Sequence, residues 1–265
     1  MLNIVDAKAS TGFSVAICGE SGAGKTFVAA QTKGQLWLQT ESNGIGTIRE
    51  GKTQVAFAKT ANDLLEPCDP DIPVIIPIYG MPLEQRAKTL LALTAFIEKN
   101  AEKIKEAGRS TIILDSLSDL NSLVVDWLAG EAKDDVDKLD HQDWYQVQKL
   151  TLRPVQRLRG VTNCGLDLAV IMGIKPMEGS FGSSTVRAGY IPLIQGGARD
   201  RVLFMFMACC TINTKVVKGQ DGKPVVERQA AFIGRQGRDI FKPKGRLGLE
   251  PCNFYDWKRK AFEGV

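Results

Sequence analysis

The chain has 265 residues, 24% of them charged and 44% apolar, and a net charge of +4. That balance argues against an extensively disordered chain, and no run approaches the roughly 18 apolar residues of a transmembrane helix. A single histidine (His141) and six cysteines without a C-x-x-C pair argue against a histidine- or thiolate-based metal centre, and Cys18, Cys209 and Cys210 lie in apolar runs that read as buried thiols.

The stretch Met1 to Lys8 has no apolar signal core, so the chain reads as cytosolic and reduced, with no membrane partner. Ser14 to Cys18 is a short apolar run, read as a strand, that ends at a glycine. Gly19-Glu20-Ser21-Gly22-Ala23-Gly24-Lys25-Thr26 follows and fits G-x-x-x-x-G-K-[ST] at every fixed position. Gly22 and Gly24 let the backbone curl so that successive N–H groups face phosphate oxygens. A helix over Lys25 to Gln31 adds its positive dipole end. Lys25 is then placed to reach the β- and γ-phosphates and the Thr26 hydroxyl to ligate Mg²⁺, which makes ATP and Mg²⁺ the expected ligands.

Gln35 to Thr40 reads as a second strand and Val74 to Ile78 as a third. Leu90, Leu91, Thr94, Ile97, Ala101 and Ile104 recur at helical spacing, and Gly108 is a stop signal. Thr111 to Leu114 is an apolar strand ending in Asp115, where a P-loop protein needs a second carboxylate for its metal; a helix N-cap is the competing reading of Asp115. Ser116, not a glutamate, comes next, so the group that positions water must come from elsewhere. Glu41, at the end of the second strand, is the candidate, against the reading of a plain surface glutamate.

Helices are expected from about Asp119 to Leu128 and from about Gln142 to Arg159, with Pro154 as a kink, and the charged stretch Gly130 to Asp140 reads as a loop. Leu166 to Ile174 is a further buried strand, and Lys175 to Gly197, rich in Gly and Ser, reads as a loop. Val202 to Cys210 and Ile212 to Val217 read as strands, Lys218 to Lys223 as a hairpin turn, and Val225 to Ile233 as the return. Between Arg235 and Lys260, eight basic residues stand against three acidic ones: either a phosphate-attracting field or a solvated basic tail. The alternation of strands and helices predicts an α/β fold, a mostly parallel twisted sheet flanked by helices, with antiparallel strands at the C-terminal end. One domain is expected over residues 1–265, with its core at about 13–251 and a short basic C-terminal tail.

This arrangement resembles the RecA/DnaB branch of P-loop ATPases, in which the catalytic glutamate ends the strand after the P-loop helix, where Leu36-Trp37-Leu38-Gln39-Thr40-Glu41 stands here. Lys244-Gly245-Arg246-Leu247-Gly248 resembles the K-x-R-x-G element with which DnaB-type hexameric helicases reach into a neighbouring subunit's ATP. From Phe13 to Pro251 the chain is similar to compact phage-type RecA-like ATPases, including the single-strand-annealing and recombination ATPases of bacteriophages. The P-loop, Thr40-Glu41, the run Ile112 to Leu117, the run Asp143 to Leu150 before Arg157-Leu158-Arg159, and the late K-x-R carry that likeness.

The resemblance implies a RecA-like core that hydrolyses ATP with Lys25 and Glu41, helped by Lys244 and Arg246 of a neighbour in a ring or filament. It also implies single-stranded DNA as a ligand, with single-strand-binding or recombination proteins as partners. Such proteins often carry a polar sensor after the strand matching Leu166 to Met172; Gly173-Ile174-Lys175 stands there, so either Lys175 substitutes or sensing is weakened. For DNA the sequence offers Lys175, Arg187, Arg199 and Arg201 for phosphates, with Phe181 and Tyr190 for stacking. A translocase or packaging motor, and a nucleotide-switched assembly protein that never touches DNA, are the alternatives.

Overall fold

The structure is a computed structural model that describes residues 11–50, 52, 54–132, 139–181, 184–218, 223–232 and 249–263; at 83–84, 131–132, 176–181, 184–191, 200, 249 and 263 the description covers the backbone alone. Adjacent residues of a strand point to opposite faces, and in the central strands both faces are apolar. In β1 (Ser14–Gly19), Ala16 and Cys18 face one core and Val15 and Ile17 the other. In β2 (Gln35–Gln39) Leu36 and Leu38 oppose Trp37, and in β5 (Thr111–Asp115) Ile112 and Leu114 oppose Ile113. A sheet of this kind must be covered on both sides.

One cover is helical: α3 (Leu83–Lys99), α5 (Leu117–Ala132) and α6 (His141–Gly160) supply Leu90, Leu120 and Val155 to the first core. The other uses the short α1 (Lys25–Ala29) and α2 (Ile45–Arg49) together with α8 (Phe254–Glu263), which contribute Val28, Ile48 and Trp257. The remaining elements are β3 (Ala56–Phe57), β4 (Val74–Pro77), α4 (Ala101–Glu106), β6 (Asp167–Phe181), β7 (Ser184–Pro192), α7 (Ala198–Val202), β8 (Ala208–Lys218), β9 (Pro224–Phe232) and β10 (Leu249–Pro251).

The strand order is β10-β9-β8-β1-β6-β5-β2-β4-β3, with β7 paired to the outer part of β6. All neighbours from β8 to β3 are parallel, while β9 and β10 are antiparallel additions. This is the α/β architecture with a mostly parallel sheet and antiparallel strands late in the chain that the sequence predicts. Among the described residues no helix is long and apolar enough to cross a membrane.

Four local expectations need correction. Most of the stretch Lys175 to Gly197 is a ladder and not a loop: β6 runs on to Phe181 and pairs antiparallel with β7, from Ile174–Pro192 to Phe181–Ser184, and only Leu193 to Gly197 follow as irregular chain. Val202 to Met207 is not a strand, because Ala198, Val202 and Phe206 recur at helical spacing and are all buried; only from Ala208 does the chain extend, then without a break to Lys218. The helix expected through Ile104 breaks at Asn100, whose Nδ2 donates to the Phe96 carbonyl (2.9 Å).

The last correction concerns the basic tail, part of which is α8. Phe254 and Trp257 are fully buried, Trp257 meets Phe232 edge-on at 5.1 Å, and Lys258 pairs with Asp167 at 2.8 Å. Asp167 also accepts from the Phe13 backbone N–H (2.8 Å), so the end of the chain is tied to the entrance of β1 and β6. Pro154, by contrast, is carried within the unbroken α6, whose start is capped by Asp140 accepting from the Gln142 and Asp143 N–H groups.

Candidate nucleotide site

Parallel α/β sheets expose their functional loops beyond the carboxyl ends of the strands. Here β1 ends at Gly19 and the loop to Lys25 turns through Gly22 (φ 77°) and Gly24 (φ 90°), a left-handed backbone that side chains disfavour. The Lys25 ammonium donates to the Gly19 and Glu20 carbonyls (3.1 and 2.8 Å), so it lies along the loop that it closes. Burial pulls its pKa below the ordinary value, while the Asp115 and Glu41 carboxylates oppose that shift.

Strand order brings the other groups in. Gln39 and Asp115 stand opposite each other on β2 and β5, and Thr40 locks the two strand ends together. Its hydroxyl accepts from the Ser116 N–H (2.7 Å) and donates to the Ser116 carbonyl (3.1 Å), while its own N–H donates to the Asp115 carbonyl (2.8 Å). Glu41 follows directly and lines a cleft of about 280 Å³ with Lys25, Thr26, Gly44 and Arg228. The Thr26 hydroxyl donates to Asp115 Oδ2 (3.1 Å).

Asp115 is fully buried, and Oδ1 of its carboxylate has no hydrogen-bond partner among the described residues. Burial, then the nearby Glu41 charge, raises its pKa to about 7, against the Thr26 hydrogen bond and Lys25. A buried carboxylate with a spare oxygen beside a threonine hydroxyl is a hard-oxygen donor set of the type Mg²⁺ takes, usually together with waters and phosphate oxygens. The space is tight: a Cβ on Gly44 would come within 2.9 Å of Asp115 Oδ2 and 2.8 Å of Gln39 Nε2. Residues Thr26 and Asp115 therefore fit the metal expected of them. Glu41 is half-buried, and burial and the Asp119 charge raise its pKa, with Lys25 opposing.

Asp119 joins this group from the first turn of α5, where it accepts from the Ser116 hydroxyl at 2.5 Å. It also lines a second, larger cleft of about 740 Å³ at the base of the β6–β7 hairpin, with Lys175, Gln195 and Arg199. The α5 turn holds that base directly. Ser118 Oγ accepts from the Gly173 N–H (2.9 Å), and Asn121 Oδ1 from the Gln195 N–H (2.7 Å).

The predicted residues thus divide into three sets. Ser21, Gly22, Gly24, Lys25, Thr26 and Glu41 line one cleft, and the buried Asp115 is hydrogen-bonded to Thr26 at its wall. Lys175 lies on β6 in the second cleft, beside Asp119. Phe181 ends β6 and Arg187 and Tyr190 lie on β7, with side chains outside the described ones, and Lys244 and Arg246 fall outside the described residues. Sequence reasoning missed Arg228 on β9. The strands beside the loop also bury thiols: Cys18, immediately before Gly19, and Cys210 on β8 are wholly enclosed, and burial pushes both pKa values up.

Among known families, the one described as an AAA domain has a model that matches residues 11–240. A search of curated proteins finds no match.

Proposed function

The chain belongs to the AAA-domain family of nucleotide-binding P-loop ATPases, and on that premise we propose that it is a magnesium-dependent, RecA-like ATPase that acts as an oligomer on single-stranded DNA, in phage-type recombination or strand annealing in the cytoplasm. The observation that carries the ATPase reading is that Lys25, Thr26 and Glu41 line one cleft while Asp115, from a third strand end, is hydrogen-bonded to Thr26 beneath it.

In this reading the N–H groups of the Gly19–Lys25 loop and the Lys25 ammonium hold the triphosphate and neutralise charge that develops during transfer. Thr26 and Asp115 would hold Mg²⁺, which would supply neutralisation of phosphate charge. Glu41 orients the attacking water and accepts its proton. Its raised pKa makes it a stronger base than an ordinary carboxylate. Lys244 and Arg246 act on the ATP of the neighbouring protomer in a ring or filament.

Support for the DNA step comes from the second cleft. Its wall carries Lys175 and Arg199, and its base is hydrogen-bonded to the same α5 turn that bears Asp119. On β6 and β7, Phe181 and Tyr190 stack bases and Arg187 meets phosphate. The test is ATP hydrolysis with and without a single-stranded oligonucleotide, paired with anisotropy titrations over a range of salt. Stimulated turnover is expected, with affinity that falls steeply as salt rises and is reduced by Phe181→Ala with Arg187→Ala. Absence of binding even at low salt refutes the DNA role and leaves a nucleotide-switched assembly protein.

A further inference from the structure

Arg228 is the one cation on the late strands that reaches the nucleotide cleft among the described residues, and no motif in the sequence points to it. It sits on β9, opposite Thr214 of β8, and β8 in turn lies beside β1. That pairing carries its side chain over the phosphate loop. Its guanidinium covers Gly24 so closely that a Cβ there would meet both Nε and Cδ, the latter at 2.8 Å. On its other side the guanidinium stacks on the Phe27 ring, 4.9 Å from the centroid. Its Nε is buried and has no hydrogen-bond partner among the described residues, an expensive condition for a charged donor. A guanidinium kept charged, half-buried and short of an acceptor at the lip of an anion site is suited to an anion.

The sheet order says which part of the ligand it meets. Asp115 and Glu41 come from β5 and β2, on one side of β1; Arg228 comes from β9, on the other. A triphosphate with its terminal end toward Glu41 and the Thr26–Asp115 pair lays its α-phosphate and ribose toward Phe27 and Arg228. We propose that Arg228 is a nucleotide-binding residue supplied by the same chain, and that it grips the α-phosphate end of the nucleotide while the Phe27 ring holds the guanidinium in position. This rests on the ATP-site reading above, and it names a contact distinct from the terminal-phosphate contacts of Lys25 and from the neighbour's Lys244 and Arg246.

The position makes a specific demand. A contact at the α-phosphate is present in ATP and ADP alike, so both should lose it equally. Titrations of full-length protein with fluorescent ATP and ADP analogues measure this. Arg228→Ala should weaken both by about tenfold, as expected for one charge-assisted hydrogen bond. Arg228→Lys, which keeps the charge without the planar fork, should fall between alanine and wild type. If the alanine variant fails to fold, Arg228→Gln keeps most of the stem, and the same equal loss is expected of it. Unchanged ADP affinity in a folded variant, or a loss confined to ATP, overturns the proposal while leaving the nucleotide site itself intact. A wild-type protein that binds neither nucleotide overturns the site and this contact with it.

Discussion

Replacing Asp115 with asparagine should stabilise the ligand-free protein at the same time as it removes turnover. The side chain is fully buried, and its pKa stands at about 7 against an ordinary 3.8. Between these values the folded protein still holds a proton that the unfolded chain has released. The native state therefore binds more protons, and wild-type stability falls as pH rises from about 4 to about 7, then levels off. Roughly three pKa units at about 1.4 kcal/mol each set a ceiling near 4 kcal/mol. Asparagine removes the charge but leaves a polar atom without a partner where Oδ1 stood, so about 1–2 kcal/mol is the expected net gain. For a chain of this size that is roughly 2–4 °C in Tm. Thermal unfolding followed by circular dichroism, in chelator at about pH 5 and about pH 8, reads it out. The gap between Asp115→Asn and wild type should widen toward the higher pH. A variant less stable than wild type at about pH 8, or a gap that does not change with pH, would refute the reasoning.

Two further outcomes concern the reaction. Glu41→Gln should bind ATP yet release phosphate at least about 100-fold more slowly. Because burial and Asp119 raise its pKa, wild-type turnover should decline on acidification from a higher pH than an ordinary carboxylate would give, and the residual turnover of the glutamine variant should lack that limb; unchanged kcat would move the base to Asp119. Mixing Lys25→Ala chains with Arg246→Ala chains should restore part of the activity, since some interfaces then pair an intact loop with an intact neighbour. No recovery in mixtures shown to co-assemble, together with a fully active monomer, would refute action across the interface.

What the sequence disclosed about this site followed from locality. Gly19 to Thr26 is one uninterrupted segment, and Glu41 and Asp115 each end an apolar run, so each could be read without knowing which strands touch. Arg228 depends on β9 pairing with β8 and β8 with β1, about 200 residues after the loop it covers, and nothing within Pro224 to Phe232 marks that position. The β6–β7 pairing was hidden for a related reason: Gly179, Gly182, Ser183 and Ser184 have loop composition, and only the pairing partner turns the stretches Lys175 to Phe181 and Ser184 to Pro192 into a ladder. In α8 the spacing of Phe254, Trp257 and Ala261 was readable as a helical face, but Lys258, Arg259 and Lys260 drew the reading toward a solvated tail.

The buried thiols have a practical consequence for anyone wishing to watch this protein work. Thiolate is the species that reacts, and both Cys18 and Cys210 are enclosed and held protonated beside the phosphate loop. Cys252, half-buried, is likewise pushed up to about 11, chiefly by burial. Cys68 and Cys164 are partly open to solvent and lie ahead of β4 and β6, at the amino ends of the strands, each bonded to the end of α4 through its backbone. A maleimide dye should therefore attach itself to the face opposite the nucleotide. Fluorescence from those two positions can follow assembly or unfolding of the native sequence without cysteine replacement, and without a probe in the cleft where ATP would bind.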